Sequence, residues 1–223
     1  ILEQLKDGSI HILIGTHALI EENVVFSALG LVITDEQHRF GVKQRQALES
    51  KGKSPHVLIM TATPIPRTMA LSVYGDLDVS FIKGMPPGRH PVKTYVVGSH
   101  MLQRIFRFMK KEMESGHQAY VVCPLVEQSE KQDLAAAVSV YENLRDHVFP
   151  QFGVGLVHGR MKNAEKEQVM EDFRKGKFKL LVATSVIEVG VNVPDATVMF
   201  VYGADRFGLS QLHQLRGRVG RGK

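Results

Sequence analysis

The 223-residue sequence holds a single cysteine, Cys123. That count rules out a disulfide within the chain and a metal site built on cysteine thiolates. Its setting in the apolar run AYVVCPL marks it as a buried, inert thiol. Apolar stretches long enough to span a bilayer, about 20 residues, are also missing, and no signal peptide opens the sequence. An intracellular, cytoplasmic protein with no membrane partner is expected. The sequence has no low-complexity tract and no short internal repeat. Its first residue is not Met: ILEQLKDG reads as the tail of a helix stopped by Gly8, and the last residues, GRVGRGK, lie inside a basic loop. Both ends look cut, so a fragment of a longer protein is expected.

What is present suits one large domain or two ordinary ones, with 43% hydrophobic residues. The net charge of +5 permits contact with a polyanion without requiring it. Short apolar runs alternate with segments of helical period, the pattern of a parallel α/β sheet. The runs IHILIG, LGLVIT, HVLIMTA, KTYVVG, QAYVVCP, VGLVHG, KLLVAT and TVMFVYG read as strands covered on both faces. Between them, Leu102, Ile105, Met109 and Met113 recur at helical spacing, as do Leu134, Val138, Tyr141 and Leu144. A third helix opens near Asn163, an expected N-cap, with acids early and bases late. One segment breaks the rhythm: GMPPGRHPVK carries three prolines and reads as an extended linker. The division is therefore a first domain over 1–84, a linker over 85–93 and a second domain over 94–223.

In open parallel sheets, ligands bind beyond the carboxyl ends of the strands. Five polar clusters fall there: IGTH, DEQH, TATPIPRT, HGRM and TSVIEVGVNVP. The adjacent acids Asp35 and Glu36 suit phosphoryl transfer, which needs Mg²⁺ on phosphate oxygens and a group that positions the attacking water. Taken alone, such a pair equally describes a solvated turn. In SQLHQLRGRVGRG a helical segment enters a Gly-rich turn bearing Arg216, Arg218 and Arg221. Guanidinium forks fit phosphate oxygens, and glycines let the loop enter a cleft, although a basic surface loop is the other reading. GRVGRGK, residues 217–223, formally fits the start of G-x-x-x-x-G-K-[ST]. It follows a helix rather than a strand and lacks the Ser or Thr, so it is not a phosphate-binding P-loop.

DEQHRFGV, TATPIPRTMAL, VIEVGVNVP and RFGLSQLHQLRGRVGRG, in this order, resemble motifs II, III, V and VI of the superfamily 2 helicases. The similarity covers essentially the whole chain, including MPPGRHPVKTYVV, and is greatest to the bacterial branched-DNA helicases. It implies two RecA-like parallel-sheet domains of the P-loop NTPase fold, the first truncated on its N-terminal side, with ATP and Mg²⁺ bound between them. Asp35 (toward Mg²⁺, through water) and Glu36 would form the acid pair. Gln214, Arg218 and Arg221 would come from the second domain, the two arginines to the γ-phosphate. The resemblance gives coupling roles to His38, Thr61, Ala62, Thr63, Glu188 and Gly190. It places DNA-backbone contacts at Thr16, His17, Arg160, Thr184 and Ser185. The implied parent is a monomeric ATP-dependent helicase that acts on branched double-stranded DNA at stalled forks and Holliday junctions. With motif I missing, the fragment itself is expected to be inactive and to self-associate. Two features depart from the pattern: Asn192 stands where motif V usually has Asp, and Thr34 interrupts the aliphatic run before the acids. The transcription-repair coupling translocases are the alternative motor, similar in TATPIPRT and LHQLRGRVGRG but different at Gln37 and in motif V. A non-catalytic nucleic-acid-binding module is the remaining alternative, although Asp35 and Glu36 would repel a phosphate backbone.

Overall fold

The structure, a computed structural model, describes residues 1–36, 42–62, 78–82, 84–85, 89–124, 130–184 and 193–222. Backbone proximity divides the chain into two units, Ile1–Val73 and Tyr74–Lys223. Residues 89–92 of the proline-rich segment therefore fall within the second unit.

In the first unit, β1 (Leu31–Thr34) pairs in parallel with β2 (His56–Ile59), Thr34 lying opposite Ile59. Successive strand side chains point to opposite faces. Val32 and Thr34 accordingly turn inward, while Leu31, Ile33 and Leu58 are about half exposed. Helix α1 (Leu2–Lys6) buries Leu5, and α2 (Val42–Glu49) lies between the strands in sequence. Lys51 ties down the loop before β1, its Nζ donating to the carbonyls of Glu21 at 2.7 Å and Val24 at 2.9 Å. The expected strand at 10–15 is not formed. Ile12 and Ile14 are 81% and 90% exposed, and no described strand offers a ladder partner. An apolar run without a neighbour leaves its backbone groups to water.

The second unit is built on four parallel strands: β3 (Gln118–Val122), β4 (Val154–Val157), β5 (Leu180–Ala183) and β6 (Ala196–Val201). Their spatial order is β4-β5-β3-β6. Helices α3 (Leu102–Glu114), α4 (Glu130–Asn143), α5 (Asn163–Arg174) and α6 (Leu209–Arg216) complete it. On one face, Tyr120, Val122, Leu181 and Ala183 pack with Met170 and Phe173 of α5, Leu215 of α6, Phe207 and Val219. On the other, Ala119, Val121, Leu180 and Val182 meet Met109 and Met113 of α3, Ala137 of α4, Leu144 and Phe149. Both faces are covered, which is why these strands read as unbroken apolar runs. Cys123 is buried here and unbridged, and burial pushes its thiol up to about 11, as an inert thiol requires.

Three expectations for the second unit need correction. KTYVVG, 93–98, is not a strand: Val96 is fully exposed, with no described strand beside it. On α4 the core-facing side chains are Ala137, Val140, Tyr141 and then Leu144, so the apolar stripe is rotated from the expected one. Ala137 fills the contact where a longer side chain was sought. Asn163 is the first helical residue rather than the cap; the Glu165 carboxylate reaches back and accepts the Lys162 backbone N–H at 3.0 Å.

Phe173 is fully buried, edge-on to Tyr120 at 5.0 Å and stacked on Phe178 at 5.6 Å. Phe173→Ala therefore costs the second unit about 3–5 kcal/mol. Chemical denaturation measures this as a fall in midpoint at unchanged slope.

Candidate functional site

In the first unit, the acids leave β1 where it ends. Thr34 is buried, and its carbonyl accepts the Met60 N–H at 2.8 Å, so the pairing with β2 runs to the last strand residue. Asp35 then turns its carboxylate back, Oδ1 accepting the Glu36 backbone N–H at 2.8 Å. Glu36 has φ 51°, in the left-handed region. That conformation is uncommon outside glycine. Thr61 and Ala62 follow β2 at the same edge, both exposed. Thr16 and His17 begin the short 3₁₀ turn His17–Ile20, also exposed. His38 and Thr63 lie outside the described residues.

In the second unit, the arginine turn follows α6. Leu215 and Val219 are buried in the core and pin the turn at both sides. The Gly217 N–H closes α6 on the His213 carbonyl at 3.1 Å, and the Gly220 N–H reaches the carbonyl of Ala196 at 3.3 Å. Gly220 has φ 71°, and a Cβ there would stand 3.2 Å from the His90 carbonyl oxygen, so only glycine fits comfortably. The Gly217 carbonyl accepts two guanidinium donors, Arg221 Nε at 2.8 Å and Arg89 Nη2 at 2.6 Å. Burial, then Arg218 and Arg89, press the Arg221 pKa below its usual value, with Tyr120 acting the other way. Burial pushes the Tyr120 phenol up to about 12, and Arg218 and Arg221 pull against that shift. Gln214 lies half-buried on α6, upstream of the two arginines.

Thr184 follows β5 and is 1% exposed, its N–H donating to the Val157 carbonyl at 3.2 Å. His158 and the exposed Arg160 follow β4. Burial, then Lys166 and Arg160, hold the His158 pKa below its usual value. Three buried side-chain atoms lack a partner among the described residues: Thr34 Oγ1, His158 Nδ1 and Thr184 Oγ1. All three sit at the carboxyl end of a strand, the edge at which open sheets take their ligands. Ser185, Glu188, Gly190 and Asn192 lie outside the described residues.

Of the site residues expected from sequence, Gln214, Arg218 and Arg221 share one helix end, and Asp35 and Glu36 share one strand end. Sequence reading missed Arg89, hidden in what reads as a linker, and Tyr120, which reads only as a strand residue. The one signal for Arg89 was an arginine set among prolines, a cation placed on stiff backbone.

The chain belongs to the family of the helicase conserved C-terminal domain, which matches residues 99–223; residues 1–71 match the DEAD/DEAH box helicase family. The α/β fold is that of the RecA-like helicase domains. ATP-dependent DNA helicase RecG of Bacillus subtilis is 57% identical over the whole chain, and that of Thermotoga maritima 55% over 98% of it. The chain spans about a third of the length of these curated relatives, 33% and 28% respectively. A structure of RecG bound to a three-way DNA junction superposes with a TM-score of 0.70 at 50% identity, over 99% of this chain and 28% of that one. Yeast Dbp5 bound to RNA and ADP BeF3 shares the fold at 12% identity and a TM-score of 0.56, over 92% of this chain and 54% of its own.

Proposed function

We propose that the chain is part of the motor of an ATP-dependent DNA helicase that remodels stalled replication forks and Holliday junctions in repair and recombination. The observation that carries this reading is the arginine turn. Arg89 and Arg221 converge on the Gly217 carbonyl, and the charges acting on Arg221 among the described residues include two guanidiniums and no carboxylate. Crowded cations of this kind fit a polyphosphate. The exposed Asp35 carboxylate likewise fits a hydrated Mg²⁺.

In this reading Glu36 orients and deprotonates the attacking water. Arg218 and Arg221 take up the charge that develops on the γ-phosphate, and Gln214 steadies the same group. Mg²⁺, when bound, neutralises the phosphate oxygens, and Asp35 would hold it through water. His38, Thr61, Ala62, Thr63, Glu188 and Gly190 relay nucleotide state to domain movement. Thr16, His17, Arg160, Thr184 and Ser185 contact DNA phosphates; such contacts track a strand without reading its bases. We place the domain boundary in the segment 85–93 and the protein in the cytoplasm. Among the described residues no helix is long and apolar enough to cross a membrane.

No stretch of the sequence completes G-x-x-x-x-G-K-[ST]. The 223-residue chain by itself is therefore expected to show negligible DNA-dependent ATP hydrolysis. Turnover on forked DNA clearly above an Arg221→Ala control contradicts this. The bare apolar face of the first sheet, with Leu31, Ile33, Leu58 and Met60 each at least 41% exposed, favours self-association of the isolated chain. Light scattering tests it: a strict monomer at 24.9 kDa is the contrary result. The function itself is tested in the full-length protein, where forked or three-way DNA should stimulate ATP hydrolysis more than linear duplex of equal length does.

A further inference from the structure

We propose that Arg89 is a positioning residue of the nucleotide site: its grip on the Gly217 carbonyl fixes the turn from which Arg221 is presented to the γ-phosphate. This rests on the helicase reading above and deepens it.

Three observations support it. First, the Gly217 carbonyl has two lone pairs, and Arg221 Nε at 2.8 Å and Arg89 Nη2 at 2.6 Å both donate to it. The two guanidiniums are thereby held on one acceptor. Second, this carbonyl lies at the C-terminal end of α6, where helix carbonyls lack intrahelical partners and cations are favoured. Third, the contact is not isolated. Val92 packs against the same core as Leu215 and Val219, and its Cγ2 stands 3.0 Å from where a Gly220 Cβ would be. The segment 89–92 thus lies along the arginine turn at both ends.

The electrostatics agree with the geometry. Arg89 and Arg218 both act as like charges on a partly buried Arg221. Such an arrangement is relieved when an anion enters, so the grip on Gly217 holds the turn ready against its own repulsion. The plainer role for Arg89, a cap on α6, makes a different prediction. A cap lowers stability when removed and affects every nucleotide alike. A positioning residue matters chiefly when a γ-phosphate, or its mimic, is present.

The experiment uses the full-length protein with Arg89→Ala, Arg89→Lys and Arg221→Ala. It compares affinities for Mg·ADP alone and for Mg·ADP with beryllium fluoride, together with kcat, KM for ATP, affinity for forked DNA and melting temperature. Arg89→Ala should keep ADP and DNA affinity within about twofold. It should lose roughly 10- to 100-fold in affinity for the beryllium fluoride complex and in kcat, the scale of one charged hydrogen bond. Arg89→Lys, which keeps a donor and the charge, should recover most of both. Wild-type fluoride-complex affinity and kcat in Arg89→Ala, with both lost in Arg221→Ala, overturn the role of Arg89 and leave the helicase reading standing. Parallel losses for ADP and the fluoride complex reduce Arg89 to a cap and also overturn it. If Arg89→Ala does not fold cooperatively, Arg89→Gln and Arg89→Lys take its place under the same criteria. If Arg221→Ala also binds and hydrolyses like wild type, it is the reading of the turn as a nucleotide site that falls.

Discussion

On the proposed reading, Glu36→Gln in the full-length protein should lower kcat for DNA-stimulated ATP hydrolysis by roughly 10²- to 10⁴-fold, the worth of a positioned general base. Affinity for branched DNA stays within about twofold. The substitution keeps shape and removes only the charge, so the backbone that carries Glu36 is undisturbed. That backbone is held locally: Glu36 has φ 51°, and its N–H donates to Asp35 Oδ1 at 2.8 Å. The same variant separates the motor from a module that only binds nucleic acid. In such a module the acid would repel phosphate, so neutralising it would tighten DNA binding, with no hydrolysis to lose.

On the same reading, Arg221→Ala should lower kcat by about 10³- to 10⁵-fold, the range for an arginine brought to a transferring phosphoryl group. Arg221→Lys does not restore it, because an ammonium lacks the planar fork that spans two oxygens. Folding is nearly unaffected, since Leu215 and Val219 rather than Arg221 anchor the turn in the core. Steady-state kinetics on forked DNA, with melting curves of both variants, checks the pair. A kcat within tenfold of wild type contradicts the assignment.

The sequence made most of the second unit legible, for a physical reason. Strands buried on both faces must be apolar at every position, so β3 and β5 announce themselves. Methionines 109 and 113 lie where helical spacing put them. The runs at 10–15 and 93–98 misled because apolar character alone does not make a strand; a neighbouring ladder does. Around the site, the local motifs were readable because strand ends and helix caps are written in consecutive residues. Asp35 and Glu36, and likewise Arg218 and Arg221, stand close in sequence as they do in space. Arg89 was not readable, because its partner, Gly217, is 128 residues away and no spacing rule connects them. Tyr120 was hidden for the same reason: its effect on the arginines follows from the depth of β3 beneath the turn.

The most direct test of the central claim, that the arginine turn serves the γ-phosphate, is an experimental structure of the full-length protein with Mg²⁺, ADP and beryllium fluoride. The account predicts the Arg221 guanidinium within about 3 Å of the fluoride. A bound nucleotide with Arg218 and Arg221 lying on DNA or in solvent would contradict it.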